Sequence, residues 1–165
     1  MERKEPMTTY GYAKLSFELN DLKNRELPEI VKEIEVALEH GDLKENAEYH
    51  AAKEKQRLVD LRLSELADVL SFAQIVDPSV LEHARVSFGS TVVLCDLDTD
   101  EEITYTIVGG CESNPTNGLI SFNSPLAKQL LGKEEGDEFK AKLPGGVKEY
   151  ELLEVKYQEI VFDCN

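Results

Sequence analysis

Gly41-Asp42-Leu43-Lys44-Glu45-Asn46-Ala47-Glu48-Tyr49-His50-Ala51-Ala52-Lys53-Glu54 lies between two long stretches of helical periodicity, and its reading decides the fold. Glycine is absent between Gly11 and Gly41. Gly41 is therefore the natural stop of the first stretch, because it can take the left-handed conformation that ends a helix. Asp42 follows at once and can accept the first backbone N–H groups of a new helix. Glu45, three residues later, can reach back to complete a capping box. The predicted order is helix, tight turn, helix.

Outward from this turn, apolar residues recur at helical spacing from Tyr10 to about Phe72. Leu15, Leu19, Leu22, Ile30, Ile34 and Ala37 form one stripe, and Val59, Leu63, Leu66 and Leu70 the other. Charged residues fill the gaps. Pro28 removes a backbone donor within the first stripe and should mark a kink or restart. Neither stripe can stay in water, and a short connection makes neighbours antiparallel, so the two are expected to zip into a coiled-coil-like hairpin. About 30 residues per arm at 1.5 Å each gives a rod of roughly 45 Å.

From Val86 onward the period shifts towards two. Residues 91–94, 102–108, 119–122, 138–143 and 148–155 read as strands separated by Gly, Pro, Asn and Asp signals. One short helix interrupts them, with Ser124 as N-cap, Pro125 at its first position and Gly132 at its end. Asp77-Pro78 breaks the second long helix, which places a boundary near residues 76–85. The expected fold is α+β, with a coiled-coil arm over 1–76 and a small β-rich domain over 77–165. The chain shows no internal repeat and no low-complexity tract.

The 165 residues carry 33 acidic and 18 basic side chains, a formal charge of -15. Up to residue 75 there are 16 acidic and 11 basic residues, and after it 17 and 7, so the second half holds most of the acidic excess. Such a surface repels phosphate, which disfavours free-standing DNA or RNA binding. An apolar fraction of 41% excludes wholesale disorder. Cys95, Cys111 and Cys164 are widely spaced with no CxxC, so neither a disulfide framework nor a zinc site is indicated. The charged N-terminus and the lack of any long apolar run disfavour secretion and membrane insertion, and a cytoplasmic location is expected.

The stretch 41–54 resembles the signature of the Gre transcript cleavage factors nearly residue for residue. The likeness extends through Phe88-Gly89-Ser90, the run Asp96 to Glu102, Ser121-Phe122-Asn123-Ser124-Pro125, Leu131-Gly132-Lys133 and Pro144-Gly145-Gly146, all in the family's order. It covers the chain from Met7 to about Tyr157. This resemblance implies an N-terminal coiled-coil arm and an FKBP-like C-terminal domain. It also implies an activity, stimulation of RNA 3'-end hydrolysis in backtracked complexes of bacterial RNA polymerase, with the arm entering the secondary channel. Asp42 and Glu45 would help hold a second Mg2+ and its attacking water. The protein would then be an activator of the polymerase's own nuclease and no enzyme by itself.

Elementary chemistry gives those two acids a reason. Two-metal phosphodiester hydrolysis needs one ion to activate water and another to stabilise the leaving oxygen. Magnesium takes hard oxygen ligands, commonly one or two carboxylates with waters and phosphate. Two acids at a helix start supply only a partial shell, so Mg2+ is expected only within the polymerase complex. The competing reading is a capping box with no metal.

Lys53 matches a position where the family usually has a basic residue near the RNA path, and Lys44 and Arg57 are candidate RNA-facing neighbours. A solvated helix face explains the same lysines. Leu38 stands where many relatives carry arginine, which implies weaker contact with RNA and a preference for short backtracks. Gly41, Asn46 and Tyr49 are expected to support the tip, with Tyr49 packing across the hairpin or stacking on a base; His50 is more simply an exposed histidine. Asn123, Ser124 and Pro125 cap a helix, and the resemblance implies that they dock on the polymerase at the channel rim. The factor is expected to act as a monomer in that complex. Alternatives are an inhibitor that enters the same channel, a peptidyl-prolyl isomerase, and a coiled-coil adaptor.

Overall fold

Leu15, Leu22, Ile30 and Ala37 are buried at intervals of seven, eight and seven residues, and the odd interval has a structural cause. In the computed structural model, which describes residues 3–41 and 46–162, α1 (Thr9–Asp21) runs into a π-helical segment (Leu22–Glu26) and on into α2 (Leu27–Leu38). A π turn takes up one extra residue. It absorbs the eight-residue interval and keeps Leu22 and Ile30 on one line. Pro28 lies in the first turn of α2, where a missing N–H costs least. The expected kink or restart is thus a π segment inside a continuous helical run. Arg25 clamps that segment from outside, donating to both carboxylate oxygens of Asp21 at 2.8 Å.

The partner helix, α3 (Ala47–Ser71), keeps strict sevens: Ala52, Val59 and Leu66 recur on one face, with Ala52 and Leu66 buried. Lys55 pairs with Glu33 at 3.2 Å and Arg62 with Glu18 at 2.7 Å. Residue numbers rise on one arm as they fall on the other, so α2 and α3 are antiparallel. Two helices share a single seam, too little to bury every apolar side chain. Leu58 and Leu61 are accordingly half exposed and Phe17 is 74% exposed.

The chain divides into two units, each taken by itself. Unit 1 comprises Met1–Glu5 and Tyr12–Ala73, and unit 2 comprises Pro6–Gly11 and Gln74–Asn165. The division falls within β1 (Glu5–Met7) and β2 (Ala73–Ile75), which form a two-stranded sheet that periodicity had not indicated. Three residues each are too few to show a period.

Unit 2 is built on a five-stranded sheet in the order β5-β4-β3-β7-β6: β3 (Thr91–Asp96), β4 (Glu102–Val108), β5 (Leu119–Ser121), β6 (Glu138–Leu143) and β7 (Gly146–Lys156). Only β4 and β5 run parallel. Alternation sends Val92 and Leu94 of β3 to the core beside Tyr150 and Leu152 of β7. The β3–β7 register slips between Val93 and Leu94, opposite Leu153. That bulge changes the phase of β7, so that Val155 rather than Glu154 faces inward. The short helix α4 (Pro125–Leu130) closes the core with Leu126, Ala127 and Leu130. Its details match the sequence expectation: Ser124 Oγ accepts from the Ala127 N–H at 3.2 Å, and Gly132 ends the turn at φ 88°. The α+β class, a helical hairpin followed by a β-rich unit with one short helix, is the one observed.

Candidate functional site

The joint of the hairpin is assembled from both of its sides. On the first, α2 ends at Leu38, and the Gly41 N–H donates to the Leu38 carbonyl at 3.2 Å. Gly41 itself has φ 97°, the left-handed conformation its position anticipated. On the second, α3 begins at Ala47 with Asn46 as N-cap, whose Oδ1 accepts from the Tyr49 N–H at 3.0 Å. The cap of this helix is therefore Asn46, four residues beyond the expected Asp42. Asn46 does a second thing: its Nδ2 donates to the Ala37 carbonyl at 2.6 Å, tying the start of α3 to the last turn of α2. One amide thus meets an orphan donor of one helix and a last-turn carbonyl of the other, which also accepts from the His40 N–H at 3.1 Å.

Asp42, Lys44 and Glu45 lie outside the described residues, and so does the expected capping box. Across the joint, the Asn46 side chain bonds to Ala37 in the last turn of α2, while Gly41 bonds back to Leu38 of the same turn. Tyr49 is half-buried on α3 and meets His50 edge-on at 5.5 Å. Lys53 and Arg57, four residues apart, share a helix face. Lys53 donates to Gln56 at 3.1 Å, whereas Arg57 pairs with Glu54 at 2.7 Å. The Arg57 guanidinium holds the Glu54 carboxyl below its usual range, and Glu54 in turn raises Arg57. Of these two cations, Lys53 offers the less neutralised charge. Leu38 is 44% exposed, so an arginine would fit there without repacking.

In unit 2, Asn123 and Pro125 are exposed on either side of half-buried Ser124. Ser121 fixes both sides of this corner, its hydroxyl accepting from Asn123 N–H at 3.2 Å and its carbonyl from Ser124 N–H at 2.9 Å. The Cys95 thiol is pushed up by burial and by the carboxylates of Asp100, Glu151, Glu102 and Asp96, which disfavours its reactive thiolate. Cys164 lies outside the described residues. Among the described residues no group of three or more His, Cys, Asp or Glu is placed to hold a metal, and no helix is long and apolar enough to cross a membrane.

The cross-turn role of Asn46 was not legible as such. Its sequence context, an Asn followed by Ala47-Glu48 with the acid in the first helical turn, is an N-cap signal in its own right. The D-x-x-E spacing just before it is a competing signal of the same kind.

These features define a class: a protein that joins a hairpin of long helices, with two acids in its connecting segment, to a small β-rich unit. The sequence matches the model of the transcription elongation factor N-terminal domain over residues 5–75 and that of the GreA/GreB C-terminal domain over residues 81–157. The chain belongs to the GreA/GreB family of transcription elongation factors. Transcription elongation factor GreA of a Nitratiruptor species is 60% identical over 163 residues, with 99% of each chain covered. The protein of that name from Helicobacter pylori (strain Shi470) is 56% identical over 162 residues, covering 98% of this chain and 99% of its own. Among solved structures, GreA factor homolog 1 of Thermus thermophilus matches with a TM-score of 0.44 at 29% identity, covering 93% of this chain and 99% of its own.

Proposed function

We propose that this chain binds bacterial RNA polymerase, inserts its hairpin tip through the secondary channel, and stimulates cleavage of the nascent RNA 3' end in backtracked complexes. The observation that carries this reading is the joint itself. Gly41 ends the first arm in the left-handed conformation, and Asn46 caps α3 and ties it to Ala37, so the segment that carries Asp42 and Glu45 is held at both of its ends. The two carboxylates of that segment would serve a partner's chemistry. Their hard oxygens suit Mg2+, which commonly keeps one or two carboxylates and completes its shell with waters and phosphate. Within the complex, Mg2+ would supply Lewis acidity and a more acidic water for phosphodiester hydrolysis. Asp42 and Glu45 would contribute oxygen ligands from this chain, with the remaining ligands coming from the polymerase and RNA phosphate. The factor would thus act as an activator of the polymerase's own site.

Lys53 would face the RNA phosphate, with Lys44 and Arg57 as weaker contributors, Arg57 because Glu54 already neutralises it. Gly41, Asn46 and Tyr49 would keep the tip in shape. Asn123, Ser124 and Pro125 would dock at the channel rim, the rigid Ser121-bonded corner offering one shape to a partner. The sequence argues against an isomerase, because it has no tryptophan to floor a proline pocket.

The test is to stall a cognate polymerase in a backtracked state and add the protein with Mg2+. Shortened RNA with a new 3' end is expected. Asp42→Asn and Glu45→Gln should each retain binding, measured by competition with the wild-type protein, and lose most of the cleavage. Cleavage undiminished in both variants would refute the role of the tip acids.

A further inference from the structure

β6 (Glu138–Leu143) lies at one edge of the sheet in unit 2, and nothing in the function proposed above employs it. Which of its backbone groups face outward follows from the ladder. The Leu152 N–H donates to the Asp137 carbonyl at 2.8 Å, one position before the Glu138–Glu151 pair. Hydrogen-bonded pairs alternate along an antiparallel ladder, so Phe139, Ala141 and Leu143 are the residues that bond to β7. The two-residue turn at Pro144-Gly145 closes on the Leu143–Gly146 pair and keeps the same phase. The N–H and C=O groups of Glu138, Lys140 and Lys142 therefore point away from the sheet. Among the described residues no hydrogen bond is made to them.

Side chains give this open edge a charge. Phe139 and Ala141 are buried, so Lys140 and Lys142 stand on the face away from the core. In unit 2, Arg85, Lys140, Lys148 and Lys156 pair with Glu134, Glu149, Asp96 and Glu154 respectively. Among the described residues Lys128, Lys133 and Lys142 have no such acid. These three lie on α4, just after it, and on β6. The two elements share one core, and the Lys133 ammonium sits over the Phe139 ring at 5.6 Å. A strongly acidic chain thus gathers the unpaired cations of unit 2 on the elements that form this edge.

Lysines on an edge strand keep other strands away. They do so for strands that bring no counter-charge, whereas opposite charges facing across two strands attract. The same residues therefore exclude a neutral or basic strand and admit an acidic one. A second copy of β6 fits poorly, because the antiparallel register that uses all three outward positions sets Lys140 against its own copy.

We propose that the β6 edge is a docking site for an extended acidic segment of a partner protein, added as a further strand with acidic side chains, two residues apart, opposite Lys140 and Lys142. Main-chain hydrogen bonds at Glu138, Lys140 and Lys142 hold the strand, and the lysines select its charge. Glu138 faces Glu151 across the ladder, so it favours a neutral or basic residue at the third position.

The full-length protein tests this with a short synthetic peptide that alternates glutamate and valine, and with its lysine-valine counterpart. Amide exchange is read at Glu138, Lys140 and Lys142, whose N–H groups are open in the free protein. With the acidic peptide at about ten times its dissociation constant, measured from amide shifts, exchange at these amides should slow about tenfold. That of Val92 and Leu94 should stay unchanged, and the lysine peptide should do nothing. Lys142→Glu should weaken binding of the acidic peptide at least about threefold. Lys140→Pro removes one outward N–H, as proline can on an edge strand, and should abolish the slowing while the Phe139 and Ala141 amides stay slow. Should Lys140→Pro also speed exchange at Phe139 and Ala141, Lys142→Glu decides alone. No slowing by the acidic peptide, equal slowing by both peptides, or shifted signals without slower exchange overturns the proposal. Slowing that grows with protein concentration in the absence of peptide makes a second copy the occupant and overturns it too, as does protection by a single-stranded oligonucleotide but not by the acidic peptide.

Discussion

Removing Asn46 should loosen the tip by an amount that separates its two hydrogen bonds. The Oδ1 cap to Tyr49 N–H at 3.0 Å is of a kind worth about 1 kcal/mol. The Nδ2 bond to the Ala37 carbonyl at 2.6 Å adds about 1 kcal/mol, typical of one net intramolecular bond. Asn46→Ala loses both, so local opening of the joint should become more frequent by about thirtyfold, at tenfold per 1.4 kcal/mol. Asn46→Ser keeps a cap but cannot donate as far as Ala37, and should show about fivefold. Asn46→Asp keeps the cap and sets a carboxylate against the Ala37 carbonyl, so it should fall between serine and alanine. The assay is amide exchange of Tyr49 and His50, whose N–H groups bond to the Asn46 side chain and backbone. Aspartate matching asparagine would refute the cross-turn bond, and alanine matching serine would refute the cap.

Leu66→Ala removes a side chain that is 1% exposed in the single seam of the hairpin, and should cost about 2–5 kcal/mol in denaturant unfolding. Leu61→Ala, at 50% exposed, should cost under about 1 kcal/mol; equal losses would show that the seam is misassigned. Asp96 is held below its ordinary pKa of 3.8, first by the Asp98 N–H and then by the Thr99 N–H and Lys148. A lowered folded pKa means that its contribution is present above the ordinary value and is lost as pH falls through the lowered one. Asp96→Asn should therefore destabilise the protein at neutral pH, and the gap from wild type should narrow in unfolding curves recorded below about pH 4; a gap that widens would contradict the assignment.

The hairpin was legible because its signals are local: an apolar stripe on each arm, Gly41 at the stop and a short connection. α4 was legible for the same reason, with Ser124, Pro125 and Gly132 each at the position its backbone geometry demands. The π segment could have been read from the eight-residue interval between Leu22 and Ile30, since two stripes cannot stay in register unless the extra residue is absorbed. β1 and β2 left no trace because three residues show no period. The buried carboxylate of Glu112, which accepts from the Thr8 and Gly11 N–H groups, could not be found from its neighbours at all. Those donors come from the other end of the chain, and only the folded unit brings them to one carboxylate. The cap of α3 was misplaced for a subtler reason, since Asp42 and Asn46 carry similar local signals and tertiary tying to Ala37 favours the second.

The most direct measurement is the Mg2+ concentration needed for cleavage in a backtracked polymerase complex saturated with factor. If the carboxylates of Asp42 and Glu45 complete the shell of the ion, Asp42→Asn or Glu45→Gln should raise the half-saturating Mg2+ concentration by about tenfold or more, with partial recovery of rate at high Mg2+. A lower rate with an unchanged Mg2+ midpoint would mean that the tip acts without touching the ion, and would contradict the mechanism.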